Sequence, residues 1–230
     1  MFKEIHFPKI ASTHLYALDH TKVHAGEYVF ISSNEQTEGV GRKGDPWLAN
    51  GDNLLGTFMF PLPAKDSSNL AQLLAYSTIK IIEKLALVPS FKWPNDILLS
   101  GRKVAGIMAD IKDEIAIVSI GMNVNMQKAD LDKIDIPATS LSEELIHHLS
   151  VHSLIKDLLA QFFSDLSLFQ TKGFDPFFTP FAAKLAFVGK LAKSGAAQGR
   201  IAGLSPDGRL ILDSNGTPIL LSTSSLEIIE

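Results

Sequence analysis

Residues 91–120 read F-K-W-P-N-D-I-L-L-S-G-R-K-V-A-G-I-M-A-D-I-K-D-E-I-A-I-V-S-I. Phe91 to Trp93 begins a strand. Pro94-Asn95-Asp96 breaks it, because proline cannot donate to a strand ladder and the Asn and Asp side chains favour turns. Ile97 to Leu99 and Lys103 to Ile111 flank a Ser-Gly turn, the pattern of a hairpin. Lys112-Asp113 turns the chain again, and Ile115 to Ile120 forms a further strand. Strands joined by such tight turns pair antiparallel.

Upstream, Ile5 to Ile10 reads as a short entry strand. Ser12-Thr13 then offers an N-cap, since a hydroxyl can accept an orphan backbone N–H, and a short helix follows through Leu15 and Leu18. Glu27 to Ser32 is rich in β-formers and runs into a glycine-rich loop, Gln36 to Trp47 (Q-T-E-G-V-G-R-K-G-D-P-W). Asn53 to Phe60 is the next strand, stopped by Pro61 and Pro63. Ser67 or Ser68 caps a long helix with Leu70, Leu73, Leu74, Ile81 and Leu85 at helical spacing. Downstream, Asp130 to Glu144 is polar and irregular. A second long helix carries Leu154, Leu158, Phe162, Leu166 and Phe169 on one stripe and stops at Gly173. Phe174, Phe177, Phe178 and Phe181 pack against it. From Phe187 short β-like runs separated by S-G, S-P-D-G and S-N-G predict a small all-β module of about five strands. The boundary falls near Leu185, giving domains 1–185 and 186–230.

With 230 residues, 46% hydrophobic and 20% charged, the chain is long and apolar enough for a packed core. A net charge of −4 argues against a dedicated nucleic-acid binder. The absence of cysteine excludes disulfides, thiolate zinc sites and a cysteine nucleophile. Neither a signal peptide nor a membrane span is expected, so the chain reads as cytoplasmic. His148 and His152 are four apart without a third ligand, and no Ser-His-Asp set has a nucleophile elbow.

Four clusters remain: the glycine loop, Lys92-Trp93-Pro94-Asn95-Asp96, Lys103-Val104-Ala105-Gly106-Ile107 and Gly121-Met122-Asn123-Val124-Asn125. Singly each is a solvated loop, a turn or a strand containing glycine. In this order, together with Ser12-Thr13, they resemble the biotin protein ligase family. The pieces are S-T, G-x-G-R-x-G with a trailing Trp47, K-W-P-N-D, K-x-A-G-I and G-x-N-x-N. The resemblance implies an α+β fold: a mixed β-sheet flanked by helices, similar to the catalytic cores of class II aminoacyl-tRNA synthetases and lipoate ligases, plus a small C-terminal β-barrel. It also implies a reaction. Biotin and ATP, with Mg²⁺, give biotinyl-AMP and pyrophosphate, and a lysine of a biotin carboxyl carrier domain then takes the biotinyl group.

Joining a carboxylate to a polyphosphate brings two anions together, so fixed cations are needed. Arg42 and Lys103 are the candidates for the biotin carboxylate and the α-phosphate. Lys43, Lys92 and Asn95 sit beside the phosphates, and Trp47 offers a face for adenine or plain packing. Gly39 and Gly41 line the ligand with backbone N–H groups. By the resemblance, Ser12, Thr13 and Gln36 meet the ureido group, Gly106 and Gly121 supply a close wall, and Asn123 reaches the nucleotide. Asp96 either holds or deprotonates the incoming amine or simply forms a turn. The chain departs from the family at His14, often Asn, at Val40, often Arg, and at Asp45-Pro46, often basic. Such a loop is less electropositive. The first motif begins at Ser12, which leaves no room for the N-terminal winged helix some relatives carry. A lipoate or octanoate ligase and a non-catalytic biotin-binding module are the alternatives. Exposed strand edges would allow a homodimer.

Overall fold

The computed structural model describes residues 2–63, 67–222 and 225–229. Along the chain come β1 (Lys3–Phe7), α1 (Thr13–Asp19), β2 (Val29–Ser33), β3 (Leu54–Pro61), α2 (Leu70–Glu83), β4 (Pro89–Lys92), β5 (Asp96–Leu99), β6 (Arg102–Lys112) and β7 (Ile115–Met122). Their strands form one seven-stranded sheet of order β1-β2-β3-β7-β6-β5-β4. β1 and β2 are parallel and every other neighbouring pair is antiparallel, so the sheet is mixed, as expected. The β5–β6 hairpin turns at Ser100-Gly101, both at positive φ as a primed turn requires. The next turn is Asp113-Glu114, one residue beyond the expected Lys112-Asp113, because Lys112 stays in the ladder opposite Ile115.

The sheet has two differently used faces. Phe30, Phe58, Phe60, Val118 and Ile120 point toward α2 and the helices after it and join the main core. Their neighbours Val29, Ile31, Met59, Ile115 and Ile117 point the other way and close over Ala17 of α1. Period-two alternation forces this division.

The cap of α2 is Asn69, not Ser67 or Ser68, and it makes no side-chain capping bond. Its amide is engaged instead with the side chain of Gln72. The region expected to be irregular contains α3 (Lys128–Leu131) and α4 (Leu141–Leu145), too short and polar to show a period. α5 (Val151–Lys172) is capped by Ser150 and ends at Gly173, φ 69°. It buries the expected stripe, with Phe162 against Phe58 and Phe60. α6 (Asp175–Ala182) adds buried Phe177 and Phe181, whereas Phe178 is half-buried.

Five strands follow: β8 (Leu191–Ser194), β9 (Ala197–Leu204), β10 (Leu210–Ser214), β11 (Thr217–Leu221) and β12 (Glu227–Ile228). They make an antiparallel sheet of order β11-β10-β9-β8-β12. Its inner residues Ala192, Ile201, Leu204, Leu210 and Leu212 join the main core. The S-P-D-G turn is the hinge pin of this packing. The Gly208 carbonyl accepts from Trp93 Nε1 at 3.1 Å and from Gln72 Nε2 at 2.8 Å. Gly208 has φ +81°, and a Cβ there would lie 2.2 Å from Gln72 Oε1.

Gly208→Val should therefore destabilise the protein by ~2 kcal/mol through overpacking and strain. For a chain of this size that lowers Tm by roughly 4–8 °C. Calorimetry on both proteins checks it; an unchanged Tm would mean that the turn is not held against α2.

Candidate active site

On the α1 face, the residues of β7 grade from apolar to polar to absent: Ile115, Ile117, Ser119, Gly121. Beside it β3 presents Thr57 after Met59, and β6 presents Gly106, which pairs directly with Gly121. The face that closes on α1 at one end thus opens into a cavity at the other. The cavity holds about 350 Å³.

Its floor is a close approach. A Cβ at Gly121 would sit 2.4 Å from Cε2 of Trp47, and one at Gly106 would sit 3.0 Å from its Cζ3. The two glycines leave a flat strip of backbone on which the indole lies. Trp47 is brought there by its own loop. The Gly41 N–H donates to the Asp45 carbonyl at 2.7 Å, and the Trp47 N–H donates to the Gly39 carbonyl at 2.8 Å. The glycine loop is thereby a small hairpin with a 3-10 turn, Arg42–Gly44, at its tip. Lys43 stands in that turn at φ 59°, and its ammonium donates to Ser225 Oγ of the C-terminal module at 2.9 Å.

One end of the cavity is hydroxylic. Ser12 caps α1 by accepting from the Leu15 N–H. Gln36 Oε1 accepts from the Thr13 N–H at 2.7 Å and from Thr13 Oγ1 at 3.0 Å. Thr57 donates to Thr13 Oγ1 at 2.9 Å and lies 2.9 Å from Ser119 Oγ. Ser119 meets His14 Nδ1 at 2.8 Å, and His14 Nε2 meets Asp110 at 3.0 Å. Burial holds the His14 imidazole below the usual histidine range, partly offset by the Asp110 carboxylate.

The other end is cationic. Lys103 Nζ pairs with Asp96 Oδ1 at 2.8 Å and stands 5.3 Å from the centroid of the Trp47 ring. Asp96 opens β5 opposite Gly106, and a bulge after Ile97 brings Lys103 alongside. Arg42 Nη1 donates to Asn95 Oδ1 at 3.3 Å. Lys92 and Lys43 also line the wall. A wider groove of about 1120 Å³ shares Arg42, Lys43, Asn95 and His14 with the cavity and runs on to Asp207 and Arg209.

Thirteen of the expected site residues line the cavity: Ser12, Thr13, Gln36, Gly41, Arg42, Lys43, Trp47, Lys92, Asn95, Asp96, Lys103, Gly106 and Gly121. Two do not. Gly39 lies under the loop, where a Cβ would meet the Trp47 carbonyl at 2.8 Å. Asn123 is buried, its Nδ2 donating to the Thr139 carbonyl at 3.0 Å, so it ties the α4 approach to β7. Sequence reasoning missed Thr57, Ser119 and Asp110, which sit inside ordinary strands. The available signal was the polar break in the β7 alternation. Among the described residues no group of three or more His, Cys, Asp or Glu could hold a metal ion, and no helix is long and apolar enough to cross a membrane.

Residues 7–125 match the model of the Biotin/lipoate A/B protein ligase family, and the chain belongs to that family. The biotin–[acetyl-CoA-carboxylase] ligase of Paracoccus denitrificans is 30% identical over 80% of this chain and 83% of its own length. The bifunctional ligase/repressor BirA of Bacillus subtilis is 28% identical over 92% of this chain and 69% of its length. The biotin protein ligase of Aquifex aeolicus, solved with biotin and ATP, superposes with a TM-score of 0.88 at 25% identity, covering 100% of both chains. By fold and by relatives the chain is thus an enzyme of the biotin protein ligase type.

Gly121→Ala should lift the Trp47 indole off the sheet. The expected result is red-shifted tryptophan emission with greater acrylamide quenching. Identical spectra for variant and parent would show that the ring does not rest on Gly121.

Proposed function

We propose that the protein activates biotin with ATP and transfers it to a lysine of a biotin carboxyl carrier domain. The observation that carries this reading is the polarity of this cavity. Hydrogen-bonding groups stand at one end, a flat aromatic floor in the middle and cations at the other. Biotin has the matching parts: a ureido group, a compact apolar ring body and a carboxylate tail. Its volume suits a mostly enclosed cavity of this size. A lipoyl ring carries no N–H or C=O for Thr13, Gln36 and Ser119 to meet, so the hydroxylic end favours biotin.

In the first step a carboxylate oxygen attacks the α-phosphorus and pyrophosphate leaves. Arg42, forked and planar, suits paired oxygens, and Lys103 acts as a point charge. Asp96 holds Lys103 in place beforehand, so little reorganisation is needed as charge develops. Lys43 and Lys92 extend the positive wall toward the polyphosphate, which continues along the wider groove. Mg²⁺ fits this site as an ion carried mainly by phosphate oxygens. Asp45 is the wall carboxylate outside the Lys103–Asp96 pair, and the ion would neutralise phosphate charge there.

In the second step the carrier amine attacks the acyl carbon and AMP leaves. The amine must first lose a proton, and a free lysine holds it with pKa ~10.4. Asp96, at the cavity wall, is positioned to orient the ammonium and take that proton once Lys103 is engaged by the acyl phosphate.

Purified protein with ATP, labelled biotin and a biotin carrier domain should place label on the carrier lysine. Absence of label on a carrier that a known ligase can modify would refute the reading. Arg42→Ala and Lys103→Ala should each cut biotin-dependent pyrophosphate release by roughly 10²–10³-fold without unfolding the chain. Release near the parent rate would remove them from the mechanism.

A further inference from the structure

The hydroxylic row has a proton count that its geometry does not close. Five contacts run in series: Asp110–His14, His14–Ser119, Ser119–Thr57, Thr57–Thr13 and Thr13–Gln36. A carboxylate and an amide oxygen, at the two ends, can only accept. Thr13 therefore donates to Gln36, Thr57 to Thr13 and Ser119 to Thr57. Ser119 has no proton left, so His14 Nδ1 must donate to it while Nε2 donates to Asp110. Only an imidazolium does both. A neutral imidazole leaves four protons for these five contacts.

With His14 neutral, Nε2–H stays on Asp110 and Nδ1 accepts from Ser119. A ligand N–H offered at the last contact selects the reversed row, in which Thr57 donates to Ser119 and Thr13 donates to Thr57 instead of to Gln36. No proton lies between Thr13 Oγ1 and Gln36 Oε1. Both residues line the cavity, and both oxygens then hold lone pairs for a ligand N–H. Resting on the biotin reading above, we propose that His14 is a positioning residue for biotin. Neutral, it turns the Ser119–Thr57–Thr13 row to accept a ureido N–H; protonated, it turns the row the other way and closes Thr13 onto Gln36.

Among the described residues, Asp110 is the ionisable group in contact with the ring. β2, β3 and β7, packed against α1, carry no ionisable side chain. On β6, Asp110 faces the ring, and Lys112 is spent on the Leu18 carbonyl. Lys103 of β6 shares the cavity wall with Lys92, Asp96 and the loop's Arg42, Lys43 and Asp45, Arg102 of β6 is paired with Glu144, and Asp207 and Arg209 share the wider groove. Burial disfavours the charged ring, so the accepting direction prevails near neutral pH and is lost as pH falls below the ordinary histidine range, ~6.5.

The test is calorimetric titration of the full chain with biotin, without ATP, from pH 8.0 to 5.5. The parent Kd should rise ~10-fold on acidification, the equivalent of one hydrogen bond lost. In His14→Asn the curve should be flat, since an amide offers a donor to Asp110 and an acceptor to Ser119 at every pH. Asp110→Asn removes the carboxylate that favours the imidazolium, and should move the rise to lower pH. Biotin's own carboxyl titrates identically in all three. A flat parent curve, a rise retained in His14→Asn or an Asp110→Asn curve superposed on the parent would each overturn the role of His14 alone. Absence of biotin binding by the parent at pH 8.0 would instead overturn the proposed function and this inference with it.

Discussion

Each strand of a buried sheet gives alternate residues to opposite faces, and the site depends on how this sheet uses that constraint. One face is apolar along its whole length and closes the core with α2, α5 and α6. The other is apolar only where α1 covers it. Beyond α1 the same strands offer Thr57 and Ser119, then Gly106 and Gly121. The change is local and costs the core nothing, since the residues between them, such as Val118 and Ile120, still face the helices. A cavity is thereby placed on the backbone of paired strands.

The cavity is held ready by contacts within the protein. Trp47 lies on the glycine strip and Lys103 is fixed by Asp96. Lys43 is tethered to Ser225, so the loop tip and the C-terminal module are linked. That module is itself seated through Gly208 on Trp93 and Gln72. K-W-P-N-D thus serves two purposes: its lysine, asparagine and aspartate face the cavity, while its tryptophan anchors the second sheet. Partly exposed pairs such as Lys103–Asp96 contribute modestly to stability in water. On the proposed reading their value is orientation, because cations already in place need not reorganise when negative charge develops.

Much of this was legible in residue order. The hairpins of residues 91–120 follow from turn chemistry, and the stripe of α5 from its period. The glycine loop and K-W-P-N-D resolve into one wall because both flank the same pair of strands. The failures are equally physical. Asn69 rather than a serine caps α2, since its neighbourhood is decided by Gln72 and a turn 136 residues away along the chain from Gln72. Asn123, expected at the nucleotide, is buried away from the cavity wall with its Nδ2 on the Thr139 carbonyl. Trp47 offers a face for adenine or plain packing by sequence, and in the fold its indole rests on Gly106 and Gly121.

By resemblance to a family, the chain's order of residues pointed to the mixed sheet and to most of the groups around the cavity; by itself it determined the long helices, the hairpins and the five-strand ending. These rest on local rules: period, capping and turn conformation act over a few residues. Tertiary structure alone decided which groups meet. Gly106 opposes Gly121 through strand register, and His14 reaches Asp110 and Ser119 across roughly a hundred residues of chain. No local rule encodes a register between distant strands or the direction of a hydrogen-bonded row. Both arise when the sheet closes and brings buried hydroxyl groups into contact with one another.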